Sequence, residues 1–293
     1  MYIVPMNLDL ELWDAFSDIH FDEETHKYTD SVGTNYDTSV TGWVKQFSQP
    51  VDWDSKAASV AKREGVTKEE IKSRWKASGD YAANLGTQVH AVMEYLWKRK
   101  RYDANPPRCT STYIQRVLSL LPDNLLELCD GLDEELRMVM ELARKPVYDP
   151  MLEERVRNGM NVYSKLKDRY VPVREEFIVC DKELRMCGTI DFLGYDRLKD
   201  HYVILDYKTN KELKTEAYNG AKMLAPFGDL PDCDWGHYST QLSVYKFLIE
   251  RHTSLKIGAM TLIWIGPDGK AASYDCADVS SRILAARQAQ LKC

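Results

Sequence analysis

The sequence predicts an α/β protein in which a mainly helical first half precedes a mixed β-sheet flanked by helices. Three observations predict it. Apolar residues recur at helical spacing between residues 53 and 100, where Val89, Val92, Met93 and Leu96 share a face. After residue 173 the period changes, and the short run Val203-Ile204-Leu205 fits a buried central strand. An amphipathic segment, 237–251, then separates these strands from another at 257–265.

Taken in order, residues 19–44 alternate apolar and polar types around turn formers. They predict a β-hairpin turning near Asp30–Gly33, then a helix capped by Ser39 or Thr41. Residues 53–78 carry Ala, Lys and Glu at helical spacing. Gly65 interrupts them, and Thr67-Lys68-Glu69-Glu70 restarts the helix as a capping box. A further helix is expected over 84–100. The Pro-Pro pair marks 101–112 as a loop, and 113–145 and 149–168 read as helices parted by Pro146 and Pro150. Strands are expected at 173–180, 185–195 and 201–207. An irregular stretch, 223–236, follows, and the tail 278–291 reads as a last helix.

The whole reads as one domain, 1–293. Residues 1–170 supply mainly helices that wall a cleft, and 171–293 form the α/β core. No stretch of about 18 apolar residues occurs, so no membrane span is expected, and the N-terminus lacks the basic flank and cleavage site of a signal peptide. The seven cysteines are scattered without a CxxC pair, which argues against a structural zinc site or an iron–sulfur cluster and suits free thiols in a reducing cytoplasm. The net charge of −6 is not that of a protein that coats itself on nucleic acid.

The chemistry concentrates in Gly188-Thr189-Ile190-Asp191 and Leu205-Asp206-Tyr207-Lys208. On adjacent strands Asp191 and Asp206 can meet at one edge. Asp206 and Lys208, two apart, share a strand face. Two carboxylates and a lysine on one surface suit magnesium or manganese, which prefer hard oxygen ligands. By itself an Asp-x-Lys pair usually means a solvated face; here it follows a buried apolar run, where unpaired charge is costly.

GTID followed by LDYKTNK resembles the core of the PD-(D/E)xK nuclease superfamily, in the branch similar to the RecB nuclease domain. Gly86-Thr87-Gln88-Val89-His90 resembles that branch's G-x-x-x-H helix motif, Glu176 in REEF its preceding acidic residue, and Gln241-Leu242-Ser243-Val244-Tyr245 its Q-x-x-x-Y helix. The stretch FDEETHKYTDSVGTNYDTSVT is similar to the start of many phage-encoded nucleases. The resemblance spans roughly residues 20–265, with five motifs in order. Ile190 stands where the superfamily's name has proline, and Asp206 takes the D/E position.

The resemblance implies a restriction-endonuclease-like core. It implies Asp191, Asp206, His90 and the Tyr207 carbonyl as metal ligands, with Lys208 and Glu176 completing the catalytic set. By its position alone His90 reads as a packed core residue, and Glu176 as a strand-edge carboxylate. Glu94, one turn after His90, either orients the imidazole or is a surface charge. Gln241 and Tyr245 share a helix face and could hold a phosphate or stack on a base, although core packing explains Tyr245 equally well. Thr209, Asn210 and Lys211 continue into a turn able to touch a DNA phosphate. Lys98-Arg99-Lys100-Arg101 forms either a favourable basic helix end or a DNA-facing patch.

The expectation is a Mg2+- or Mn2+-dependent deoxyribonuclease, an exonuclease acting on duplex ends or single strands in phage DNA recombination or processing. It would work in the host cytoplasm, with a single-strand annealing or recombination protein as partner. The alternatives are a structure-selective endonuclease of the same fold and a noncatalytic DNA-binding protein on a nuclease fold.

Overall fold

The computed structural model describes residues 6–22, 25, 27–36, 38–101 and 150–291. The loop expected over 101–112 and the helix expected over 113–145 lie outside the described residues, apart from Arg101. Helix α1 (Met6–Phe16) leads into a three-stranded antiparallel sheet of β1 (Ile19–Asp22), β2 (Lys27–Asp30) and β3 (Asn35–Tyr36). The expected hairpin therefore has a third strand. Its Asp30–Gly33 turn joins β2 to β3, with Gly33 at φ +81° and its N–H donating to the Asp30 carbonyl. Asp30 Oδ1 also accepts from the Thr34 amide at 2.7 Å.

β4 (Thr38–Ser39) runs into α2 (Val40–Lys45), which Ser39 caps by accepting from the Gly42 amide at 3.0 Å. α3 (Trp53–Glu64) starts on Asp52, which accepts from the Ser55 amide, and stops on Gly65 in the left-handed region, φ +71°. The Glu70 amide donates to Thr67 Oγ1, which supplies one half of the expected capping box. The two helices expected over 67–78 and 84–100 are in fact one, α4 (Lys68–Arg101, 34 residues), which runs through Gly79 and Gly86. The lower helix propensity of two glycines is a local effect that the packing of the helix's second half overrides.

α5 (Pro150–Leu166) follows, then β5 (Tyr170–Asp181), β6 (Met186–Asp196) and β7 (His201–Lys208). α6 (Asp234–His252) connects to β8 (Ile257–Ile265), β9 (Ala271–Asp275) and α7 (Ile283–Leu291). The main sheet has the order β4-β6-β7-β8-β9, and β5 pairs with β6. It is mixed: β7 and β8 are parallel, as are β4 and β6, and the other pairs are antiparallel. α6 supplies the long crossover that a parallel β7–β8 pair requires. This is the expected restriction-endonuclease-like architecture, a mixed sheet flanked by helices.

Two apolar layers cover the sheet. One contains Val89, Met93 and Trp97 of α4, Leu152 and Val156 of α5, and Val203, Leu205 and Tyr207 of β7. The other contains Val40 and Trp43 of α2, Leu242, Val244 and Tyr245 of α6, and Ile204 of β7. The alternation of Val203, Ile204 and Leu205 between the layers is the strand period of two. α5 is pinned to the β8–β9 turn where Asn158 Nδ2 donates to the Gly266 carbonyl at 3.0 Å. α7 is pinned to the β5–β6 turn and to β4 by Arg287, which donates to the Leu184 carbonyl at 2.8 Å and to Thr38 Oγ1 at 3.1 Å. Among the described residues no helix is long and apolar enough to cross a membrane.

Candidate active site

The site lies where β6 and β7 part. Their antiparallel ladder runs from the Asp196–His201 pair to Phe192–Leu205 and ends there. Beyond that point β6 stays with β5 as far as Met186, and β7 stays with β8 as far as Lys208. Asp191 and Asp206 are the next residue on each strand past the last pair, so the divergence opens between the two carboxylates. Asp191 spans part of the gap: its Oδ2 accepts from the Tyr207 amide at 2.7 Å, in place of the missing backbone partner.

α4 brings His90 to the same point. Its Nδ1 lies 3.4 Å from Asp191 Oδ2 and 4.0 Å from Glu176 Oε1. One ligand atom from each of His90, Glu176 and Asp191 falls within 4.8 Å of the others. The register sets Glu175 opposite Phe192 and Phe177 opposite Ile190, which puts Glu176 across from Asp191. Glu176 has φ +43°, a left-handed conformation that strains a glutamate in the middle of a strand. Glu175 points elsewhere: its buried carboxylate meets Arg101 at 3.2 Å. Of the two adjacent glutamates, 176 faces the site.

Asp206 and Lys208 do share a strand face, and their charged ends lie 2.5 Å apart. The Lys208 ammonium is the partner of the buried Asp206 Oδ2. The lysine ammonium also sits 4.3 Å from the centre of the Tyr238 ring. Tyr207 turns its side chain away into the α4 layer, where its hydroxyl accepts from Trp97 Nε1 at 2.7 Å.

The charges are strongly coupled. Burial, reinforced by Asp191, pushes the Glu176 carboxyl up to about 8, against the pull of His90. Burial likewise raises Asp206 to about 6, with Lys208 opposing and Asp191 adding to the rise. For Asp191 the penalty of burial is outweighed by His90, Lys208 and the Tyr207 amide, so its carboxyl stays below the usual range. Burial lowers the His90 imidazolium, but Asp191 and Glu176 more than reverse this and hold it at about 9. Three carboxylates thus crowd one half-buried pocket, and protons are retained on groups that would normally lose them. A divalent cation fits that donor set. It would replace the proton charge, and the oxygens and imidazole are ligands it accepts.

Gly86 and Thr209 meet where α4 crosses the end of β7. A Cβ on Gly86 would lie 3.0 Å from Thr209 Oγ1. The Asn210 carbonyl accepts from Trp264 Nε1 at 2.8 Å, and its amide reaches Asp234 at 3.3 Å. Lys211 is exposed.

Several expectations need correction. Tyr245 is 3% exposed and Gln241 9% exposed, and Gln241 Nε2 donates to the Tyr245 hydroxyl at 2.9 Å. A base cannot stack on a ring buried in this way. A Cβ on Gly188 would stand 2.6 Å from Tyr245 Cε1, so the ring packs beneath the GTID strand. Glu94, for which two roles were open, pairs with Lys98. Lys100 donates to the Tyr170 carbonyl at 2.9 Å and Arg101 holds Glu175, so these positions of the expected basic patch already have partners within the protein. Two contributors were not anticipated. Tyr238 lies three residues before Gln241 on the same helix, a spacing that could have found it. Tyr28 in β2 shares a 3.1 Å hydrogen bond with Thr189 Oγ1 and had no sequence signal.

A sequence model of the PD-(D/E)XK nuclease superfamily matches residues 62–288. A search of curated proteins returns no significant match.

Proposed function

Because the chain belongs to the PD-(D/E)XK nuclease superfamily, we propose that it is a metal-dependent deoxyribonuclease that degrades DNA from strand ends. One observation carries the reading. His90, Glu176 and Asp191 converge within 4.8 Å beside the Asp206–Lys208 ion pair, at the point where two central strands separate.

Asp191, Glu176, His90 and Asp206 would hold the cation, Mg2+ or Mn2+. When bound, it polarises a phosphodiester and lowers the pKa of water. The protein's own groups do the rest. The Tyr207 amide keeps the Asp191 carboxylate in one orientation. Asp206 and the Tyr238 ring hold the Lys208 ammonium close to the carboxylates, where burial makes its charge effective against the growing negative charge of a phosphorane-like transition state. The same ammonium can orient the attacking water. Thr209 and the exposed Lys211, just past β7, are suited to a neighbouring phosphate.

Attack from ends, and a place in phage DNA recombination beside a strand-annealing protein, rest on the similarity of residues 21–41 to the start of phage-encoded nucleases. End-labelled linear DNA and closed circular DNA test the reading together. Linear DNA should be degraded with Mg2+ or Mn2+, closed circles should survive, and EDTA or Asp206→Ala should abolish cleavage. Circles cut as fast as linear DNA would make it an endonuclease of the same fold. Equal degradation by wild type and Asp206→Ala would reject the site.

A further inference from the structure

α4 extends well beyond the site it serves. Its second half packs on α5 and the sheet, whereas residues 72–84 are exposed throughout. α3 packs alongside this outer half through a small apolar cluster of Ala57, Ala61 and Ile71. The pair forms an arm that carries two exposed indoles, Trp53 (61% exposed) at the start of α3 and Trp75 (38% exposed) about two turns into α4. Their ring centres are 5.9 Å apart at 73°. The Lys56 ammonium lies 5.3 Å from the centre of the Trp53 ring. The two rings meet each other across α3 and α4, outside the apolar cluster that holds the helices together.

The arm leads into the site. Trp75, Gly79, Ala82, Gly86 and His90 follow one another at spacings of four and three, so they lie along one face of α4. A Cβ on Gly79 would meet nothing within 4 Å. The helix face is therefore open from Trp75 to Ala83, and it meets the end of β7 at the Gly86–Thr209 contact beside the site. Residues 53–83 carry seven basic and five acidic side chains, a small local excess of positive charge in a chain whose net charge is −6, with Lys68, Lys72, Arg74 and Lys76 paired to acids of the arm. Flat aromatic faces with an adjacent ammonium on a positively charged support are the chemistry that binds unpaired bases regardless of sequence.

We propose that the Trp53–Trp75 arm captures a single-stranded end of the substrate and feeds it along α4 toward His90. The inference rests on the nuclease reading and adds to it the substrate class, a strand with exposed bases. Trp75 and His90 are 15 residues apart on one helix, about 22 Å at 1.5 Å per residue. At about 3.4 Å per stacked nucleotide, a strand held at the arm needs roughly six or seven unpaired nucleotides to reach the site.

Binding measured in EDTA separates this inference from the nuclease reading, because no cleavage is involved. The probe is a fluorescein-labelled oligothymidylate of about fifteen nucleotides, followed by anisotropy, with a blunt duplex of equal length as control. Trp53→Ala/Trp75→Ala should weaken oligothymidylate binding by at least about tenfold, and Trp53→Phe/Trp75→Phe should retain most of it. Duplex binding should be the same for all three proteins. Circular dichroism of the alanine variant verifies that the arm is still helical. Unchanged oligothymidylate affinity in the alanine variant overturns the proposal. So does an equal loss on the blunt duplex, which would mean backbone contact without base stacking. A tryptophan-dependent dimer in sedimentation, with oligothymidylate binding intact, would assign the patch to a second copy of the chain and also overturn it. Tryptophan-dependent binding without any Mg2+- or Mn2+-dependent cleavage would leave the arm standing and refute the nuclease reading.

Discussion

Thr209 Oγ1 lies 3.0 Å from where a Cβ on Gly86 would sit. The end of the strand that carries Asp206 and Lys208 is thereby seated directly against the helix that carries His90. The glycine of the G-x-x-x-H segment is explained by contact, since a helix interior otherwise favours alanine by about 1 kcal/mol.

Gly86→Ala should accordingly leave the thermal midpoint within a few degrees of wild type, because helix propensity offsets part of the crowding. Cleavage of end-labelled DNA should still fall by about tenfold or more as α4 is pushed off the end of β7. Thr209→Ala in the same chain removes the hydroxyl that the new methyl meets and should recover part of the rate. A Gly86→Ala protein with wild-type kcat would show that this contact does not set the site.

Metal affinity should rise with pH. His90 is held at about 9 and Glu176 at about 8, and each must lose its proton to serve as a ligand. Both pKa values are raised, so the competing protons are bound below these values and leave as pH rises through them. Calorimetric titration of Mn2+ into the protein, repeated in buffers of different ionisation enthalpy, should detect proton release that diminishes toward about pH 9. Affinity that stays flat between about pH 6 and 9 would rule out these two groups as ligands.

Gly188→Ala should destabilise the fold by about 1–3 kcal/mol, because overpacking forces displacement of its neighbours. The added Cβ would stand 2.6 Å from Tyr245 Cε1 and 2.9 Å from Val40 Cγ2, both in the buried layer. Urea unfolding monitored by circular dichroism measures the loss. Tyr245→Phe keeps the ring and removes only the hydrogen bond from Gln241, so its effect should be smaller, about 1 kcal/mol.

Asp181 makes part of the stability acid-sensitive at a distance from the site. Burial alone would raise its carboxyl, but His252 Nε2 at 3.0 Å, the Leu184 amide at 2.8 Å and Arg251 Nε at 2.6 Å outweigh that and lower it to about 2. Its folded pKa lies below the unfolded value near 3.9, so its contribution is complete above that pH and is lost as pH falls through about 2. The difference corresponds to about 2–3 kcal/mol. Stability curves of wild type and Asp181→Asn should differ by about that much at neutral pH and converge in strong acid. Parallel curves down to pH 2 would contradict it.

Much of the molecule was legible from local pattern. Period and β-branched content announced strands at 173–180, 185–195, 201–207 and 257–265, each within a few residues of the observed bounds, and turn chemistry announced Gly33, Gly65 and a helix cap at Ser39 or Thr41, of which Ser39 is the one used. α4 was read as two helices, ending at 78 and restarting at 84, with the weak helix former Gly79 in the break, and only its packing on α5 and the sheet shows why one helix persists. β9 was missed because AASYD is an edge strand with little apolar content, held by its pairing with β8.

The sequence by itself determined which chemistry is present. The Asp-x-Lys spacing puts Asp206 and Lys208 on one face because a strand repeats every two residues, and the order of the motifs names His90, Glu176 and Asp191. Tertiary structure decided how those groups meet. The parting of β6 and β7, the left-handed Glu176 and the seating of Gly86 on Thr209 are contacts between segments as much as 123 residues apart, which no local period encodes. It also decided that Gln241 and Tyr245 are buried, with the Tyr245 ring against Gly188, and that Lys100 and Arg101 are already paired. Exposure and pairing are properties of the whole packed chain, whereas residue type and spacing are properties of the sequence.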